Sequence, residues 1–284
     1  MESDMNIKIT ADSTCDLSPE LVAANNIQII PLYIIKGGVS YRDGIDITPK
    51  DIFEYVDSGK ELCGTAAVSV GDYTEIFTEL RKEYDAVIHF TISSEMSSCY
   101  QNAVMAAETV DQVYVVDSRN LSTGIGQLAL EACRMAREGM APQDIKAECD
   151  RLAGKLDVSF ILNTLVYLYK GGRCSAVAAL GANLLGLKPC IEVKNGKMGV
   201  GKKYRGSLEK VLAKYVEDKL ADTDTLDDRR IFITFSTMPE SCVKAAEDAV
   251  RRCFPFKEVL RTTAGSTISN HCGPACLGIL FFRK

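Results

Sequence analysis

The stretch 87–103, VIHFTISSEMSSCYQNA, packs a complete structural unit into a short span. Its apolar run, Val87 to Phe90, reads as a buried strand. The run stops at a cluster of hydroxyls (Thr91, Ser93, Ser94, Ser97 and Ser98), and an amphipathic segment then opens near Tyr100. Strand, polar turn and helix N-terminus in that order restrict the fold, because parallel strands need crossover helices to connect them. The unit recurs through the first half. Ile7–Ala11 is a short strand, and Ser18 followed by Pro19 and Glu20 starts a helix, with Ser as cap and Pro in the first turn. The nearly all-apolar run Ile27–Ile35 reads as one buried strand. Thr48-Pro49 opens a helix through Ile52, Phe53 and Val56, and Ser69–Tyr84 carries Tyr73, Phe77 and Leu80 on one helical face. Val113–Val116 is a strand ending at Asp117-Ser118, and helices fill roughly 122–139 and 142–154. These repeats predict an N-terminal α/β domain over 1–156, a mostly parallel sheet with helices on both faces.

The pattern changes near Asp157. Val158–Leu162 reads as a strand, Thr164–Tyr169 as a helical turn, and Lys170-Gly171-Gly172-Arg173 as a break. Ile191–Lys194, Asn195-Gly196 and Lys197 onward form a hairpin, since Asn-Gly supplies the left-handed dihedrals of a type I′ turn. Ser207–Leu220 and Pro239–Cys253 are helices, and Ile231–Phe235 and Leu277–Phe282 are strands. A mixed sheet with helices in a C-terminal α/β domain over 157–284 follows, and no obvious linker separates the halves. The 284 residues suffice for two domains, and 46% hydrophobic content supplies a core. A net charge of −5 gives nucleic acid no bulk attraction. Eleven scattered cysteines, with no secretory signal at the start, predict reduced thiols in a cytoplasm. No apolar run approaches the length of a membrane span.

The hydroxyls at 91–98 face two readings. A helix N-terminus attracts an anionic head group through free N–H groups and the helix dipole. Ordinary capping by Ser is the alternative. The strand tips Asp12-Ser13-Thr14, Ser93-Ser94 and Asp117-Ser118 can meet at one sheet edge, where open α/β sheets bind ligands. Gly124-Ile-Gly126-Gln-Leu-Ala129 sits too far behind its strand for a dinucleotide fingerprint, and no phosphate loop occurs, so no nucleotide cofactor is expected. His89, inside an apolar strand, reads as a core residue. His271 lies in what reads as a loop before the final strand and is the better candidate for touching a ligand. His271, Cys272 and Cys276 lack metal-site spacing. Ser97 with His271 could serve a stand-alone serine esterase or acyl hydrolase, but no nucleophile elbow is visible. Gly171-Gly172 allows close backbone approach, and Arg173 faces either a ligand head group or the domain interface. The basic run Lys202-Lys203-Tyr204-Arg205 is either a solvated surface or a dock for an acidic partner.

Seven segments together resemble the DegV family of bacterial fatty-acid-binding proteins: ITADSTCDLSPE, YRDGIDIT, TISSEMSSCYQNA, VVDSRNLSTGIG, FILNTLVYLYKGGRCS, LGLKPCIEV and HCGPACLG. The resemblance implies two α/β domains with one long-chain fatty acid in a tunnel between them, and no cofactor. It implies a carrier with no catalytic residues of its own. The carrier would present the carboxylate to a partner ATP-dependent fatty acid kinase subunit, and the acyl phosphate would feed an acyltransferase step of phospholipid synthesis. By position, Thr65, Ser97, Ser98 and His271 would hold the carboxylate. Ser94, Gly171, Gly172 and Arg173 would lie near the head group or the interface, and Arg205 with Lys203 would dock the kinase. The family pattern Thr-Ser-Gln-Pro-Ser is here Thr65-Ala66-Ala67-Val68-Ser69, and Ser-Gly-Thr is here Ser97-Ser98-Cys99.

Overall fold

A computed structural model describes residues 5–175, 177 and 186–284; the segment LGLKPCIEV begins at Leu185, outside them. The first half builds a sheet from β1 (Ile7–Asp12), β2 (Gln28–Ile30), β6 (Ala86–Thr91) and β7 (Val113–Asp117), in the order β2-β1-β6-β7. All its pairings are parallel. The helix starts follow local chemistry. Ser18 accepts the Leu21 N–H ahead of α1 (Pro19–Ala24). Thr48 with Asp51, and Ser69 with Asp72, form reciprocal capping boxes for α2 (Pro49–Asp57) and α3 (Val70–Leu80). Tyr73, Phe77 and Leu80 are buried on one face of α3, and α4 (Cys99–Ala107) follows the hydroxyl-rich turn.

The apolar run 27–35 is two strands rather than one. Pro31 has no N–H to continue the ladder, so β2 stops at Ile30 and β3 (Tyr33–Lys36) leaves the sheet. It pairs antiparallel with β4 (Val39–Arg42) and β5 (Gly64–Ala66) in a separate three-stranded sheet. An unbroken apolar run carries no period that would mark this change of partner.

The second half is a six-stranded mixed sheet. It contains β8 (Leu156–Ile161), β9 (Leu187–Lys194), β10 (Lys197–Arg205), β11 (Leu226–Phe235), β12 (Glu258–Thr263) and β13 (Leu277–Arg283), in the order β10-β9-β8-β13-β11-β12. Only the β11–β12 pair is parallel. Asn195 (φ 52°) and Gly196 (φ 82°) make the turn between β9 and β10. The helices of this half whose bounds lie among the described residues are α7 (Val166–Gly171), α8 (Leu208–Lys219), α9 (Glu240–Cys253) and α10 (Ser266–Cys272). No helix among the described residues is long and apolar enough to cross a membrane.

Between the sheets lies α5 (Thr123–Arg137), with its neighbour α6 (Pro142–Ala153) packed on β6 and β7. All of α5 except Arg134, Ala136 and Arg137 is buried. Gln127 donates to the Leu280 carbonyl of β13, and Glu131 pairs with Arg229 and Arg230 of β11. The Gly124/Gly126 pair serves this packing. A Cβ on Gly124 would sit 3.2 Å from Val158, and one on Gly126 2.6 Å from Leu17.

Two acidic side chains from the first half bind the start of α10. Asp43 accepts the N–H groups of Ser266 (2.9 Å) and Thr267 (3.2 Å). Asp16 accepts the Gly265 N–H (2.8 Å) and the Ser122 hydroxyl (2.5 Å). Asn270 donates to the Cys63 carbonyl at 2.8 Å. His271 is therefore in the last turn of a helix, not in a loop. Ser266, Thr267, Ile268, Ser269, Asn270 and Cys272 are all buried, so no polar face gives the segment a helical period, and its capping groups are remote in sequence.

Replacing Asp43 with Asn removes the charge from both bonds at the α10 start and leaves one of the two N–H groups facing an amide NH2 in place of an acceptor. We expect Asp43→Asn to lower the unfolding free energy by about 1–3 kcal/mol in urea titration. The exposed Glu54→Gln should change it by less than about 0.5 kcal/mol. Burial raises the Asp16 carboxyl from 3.8 to about 8, and lowers His271 from 6.5 to about 4. Folded Asp16 holds its proton more tightly than the unfolded chain does, so its contribution to stability is lost as pH rises from about 4 through 8. The His271 contribution runs the other way, lost as pH falls from 6.5 through 4. Above pH 6.5 only the Asp16 slope remains. Stability should fall by on the order of 1 kcal/mol between pH 6.5 and 8, and Asp16→Asn should flatten that slope in denaturation curves.

Candidate functional site

A cavity of about 210 Å³ opens between the two halves. Its polar residues come from four places: Thr65 on β5, Ser97 and Ser98 at the start of α4, Arg173 after α7, and Thr267 and His271 on α10. Leu32, Ile92, Leu121, Leu168, Met198 and Ile268 supply apolar wall. Leu121, Ile268 and Cys272 also line a narrower space of about 20 Å³, which continues to Val158, Phe160 and Leu280 between the sheets. The hydroxyls in this deeper part are already bonded. Thr234 meets Thr123 and Thr262, and Ser236 donates to the Gly273 carbonyl. The slot is therefore polar at one end and chemically apolar at the other.

His271 is held tightly at the polar end. Its Nε2 lies 3.0 Å from Thr65 Oγ1, and its Nδ1 is buried with no partner. We assign the Nε2–H tautomer from this pattern: Nε2–H donates to Thr65, and no N–H is stranded at Nδ1. Thr65 is then free to donate its own hydrogen into the cavity. Burial, with the Arg173 charge nearby, depresses His271 to about 4, so the ring is neutral at pH 7. Gly171 makes the fit possible, since a Cβ there would lie 2.4 Å from His271 Nδ1. Gly172, at φ 67°, is the left-handed cap of α7, donates its N–H to the Tyr169 carbonyl, and would have nothing within 4 Å of an added Cβ. Arg173 is exposed, lines the cavity, and donates to the Gly171 carbonyl at 2.8 Å.

Ser97 accepts the Cys99 N–H at 3.3 Å and donates to Cys99 Sγ at 3.2 Å, while Ser98 is exposed and makes no capping bond. The other hydroxyls of that turn point elsewhere. Ser93 donates to the Gly196 carbonyl of the β9–β10 turn, and Thr91 to the Val116 carbonyl. Ser94 accepts from Arg119 at 3.4 Å, and Arg119 also donates to the Asn195 carbonyl, so Ser94 lies on the interface side, away from the cavity. The strand tips do not gather as a ligand edge. Asp12 is fully buried and accepts from Tyr73 and the Ile92 N–H, Ser13 donates to Asp43, and Asp117 accepts from Ser94 and Arg119.

Ser97 and His271 share the cavity but do not bond to each other, and no carboxylate bonds to His271 among the described residues. No metal-holding cluster occurs among the described residues. Thr267 is the site residue that sequence reading missed. It is 4% exposed, its Oγ1 has no partner, and it lines the cavity. No local signal marks it, because its helix is defined by distant acidic side chains. On β10, Lys203 and Arg205 are exposed and make no ion pair among the described residues, whereas Lys202 and Tyr204 between and beside them both engage Asp218.

Comparison with known proteins fits this geometry. A DegV domain-containing protein of Caldanaerobacter subterraneus is 31% identical over 98% of this chain and 99% of its own length. A structure from Thermus thermophilus, described as fatty acid binding of a DegV family protein, superposes with a TM-score of 0.91 at 30% identity, covering 99% of this chain and 100% of that one. DegV of Bacillus subtilis, described as a fatty acid binding protein, superposes at 0.84 and 28% identity over 99% of this chain and 100% of its own. Residues 6–284 match the family described as "Uncharacterised protein, DegV family", and the chain belongs to the DegV family.

Proposed function

We propose that this protein binds one long-chain fatty acid in the interdomain slot and presents its carboxylate to a partner ATP-dependent kinase. The carrying observation is the polarity of the slot: the unbonded hydroxyl of Thr267 and the Thr65 hydroxyl, whose hydrogen is freed by the bond it accepts from His271, collect at the mouth, while the deeper hydroxyls are internally satisfied. The Thermus and Bacillus relatives, described as fatty-acid binding, support the ligand class. The carboxylate would sit among Thr65, Ser97, Ser98, Thr267 and His271, with Arg173 at the rim and the tail running past Leu121 and Ile268. A tail of roughly 15 methylenes supplies on the order of 12 kcal/mol of gross burial energy, less the cost of ordering. With the tail holding the ligand, the mouth need only orient the head group. Neutral hydroxyls, with Thr65 held by the neutral imidazole of His271, do this while leaving a carboxylate oxygen nucleophilic. In the kinase complex that oxygen attacks the γ-phosphorus of ATP, ADP leaves, and the acyl phosphate stays on the carrier for an acyltransferase. Lys203 and Arg205 are the unpaired cations we assign to kinase docking.

Native mass spectrometry of the purified protein should show an added mass matching a long-chain fatty acid. Apo protein alone after incubation with stearate, together with turnover of an ester panel, would place the esterase reading ahead. Thr65→Ala combined with Ser97→Ala removes two bonds to a charged group and should weaken stearate binding about 10- to 100-fold by fluorescence competition. Arg205→Ala should slow acyl phosphate formation in a reconstituted kinase assay while lipid stays bound; loss of lipid instead would assign Arg205 to the slot.

A further inference from the structure

Ser93 belongs to the hydroxyl-rich turn but does not line the cavity. It is 0% exposed, and each of its polar groups is bonded. Its N–H donates to the Asn120 carbonyl at 2.9 Å, and its hydroxyl donates to the Gly196 carbonyl at 2.8 Å. The same hydroxyl oxygen accepts the Glu95 N–H at 3.3 Å. Its carbonyl accepts the N–H groups of Met96 (2.9 Å) and Ser97 (3.2 Å). Ile92 on one side of it in the chain, and Met96, Ser97 and Ser98 on the other, line the cavity.

The turn that carries Ser97 is therefore wound around Ser93, and Ser93 is fastened to the other half of the protein. Gly196 sits in the β9–β10 turn, where a Cβ would lie 2.7 Å from Ser93 Oγ and 2.9 Å from Arg119 Cζ. Only a residue without a side chain lets the two segments come this close. Two residues further on, Met198 lines the same cavity from the second half. The Ser93–Gly196 bond thus joins two walls of the slot beside its head-group end. The links around it are weaker. Glu95 meets Lys197 at 3.3 Å and Arg119 at 3.9 Å, all of them exposed side chains, and exposed ion pairs contribute little. Without the Ser93 hydroxyl, the buried Gly196 carbonyl and the Glu95 N–H lose their partner, a cost the turn relieves by shifting. A shift carries Ser97 with it, and a hydrogen bond weakens steeply off its line.

We propose that Ser93 is a positioning residue of the head-group site: by bonding the Gly196 carbonyl across the interface, it holds the turn that aims Ser97 at the carboxylate. The proposal deepens the fatty-acid reading and rests on it.

The test measures competition binding of stearate and of methyl stearate, which has no carboxylate. Ser93→Ala should weaken stearate about fivefold, the scale of one neutral hydrogen bond, and leave methyl stearate within about twofold of wild type. Ser93→Cys closely keeps the side chain's shape but donates weakly, so it should lose stearate affinity to a lesser degree. It reads the same effect if the Ala variant does not fold. In a Ser97→Ala background, Ser93→Ala should cost stearate nothing further, because the residue it positions is gone. A purely structural role would weaken both ligands alike and would add its loss in either background. Those results, or unchanged stearate binding in Ser93→Ala and Ser93→Cys, would overturn the proposal and leave the fatty-acid reading standing. A wild-type protein that binds neither ligand would overturn that reading, and this proposal with it.

Discussion

Two aspartates of the first half close on the backbone of a seven-residue helix in the second, and the site depends on that contact. Helix α10 is too short to be stable by itself. Its first N–H groups lack partners within the helix, and Asp43 and Asp16 provide them across the interface. Asn270 ties the same helix to the Cys63 carbonyl, next to the strand that carries Thr65. His271 and Thr267 reach the mouth of the slot only because these bonds set the rotation and depth of α10. The cavity is thus a property of the docked halves, and neither half contains it.

The chemistry of the mouth follows from burial. Enclosure strips His271 of its proton at neutral pH, so the imidazole takes part as a neutral donor toward Thr65. The full positive charge, Arg173, stays exposed at the rim, where water screens it. Grip by the tail and orientation by uncharged groups is a division of labour suited to handing a reactive oxygen to another protein.

The fold was largely legible where its causes are local. Ser18, Thr48 and Ser69 announce helix starts because their side chains bond to N–H groups three residues on. Asn195-Gly196 announces its hairpin because only such residues relax into positive φ at both positions. Legibility failed where the cause is remote. The 27–35 run hides a change of sheet, since an apolar strand fits either partner. The six buried residues of α10 show no period, so the segment reads as loop. Gly124 and Gly126 resemble a nucleotide motif but are spaced for the packing of α5 between two sheets.

What the sequence determined alone is the alternation of strands and helices in the first half, the change of pattern near residue 157, and the family resemblance. Each of these is written in patterns a few residues wide. Strands β4, β5 and β12 and the helix α10 were not legible in it. Tertiary structure decided which hydroxyls face the cavity: of the cluster at 91–98, Ser97 and Ser98 line it, while Thr91, Ser93 and Ser94 are turned to other bonds. It also decided that Thr267 belongs to the site and that His271 is neutral. A side chain's direction, partner and charge depend on groups brought close by folding, and no local pattern records how far apart in the chain those groups began.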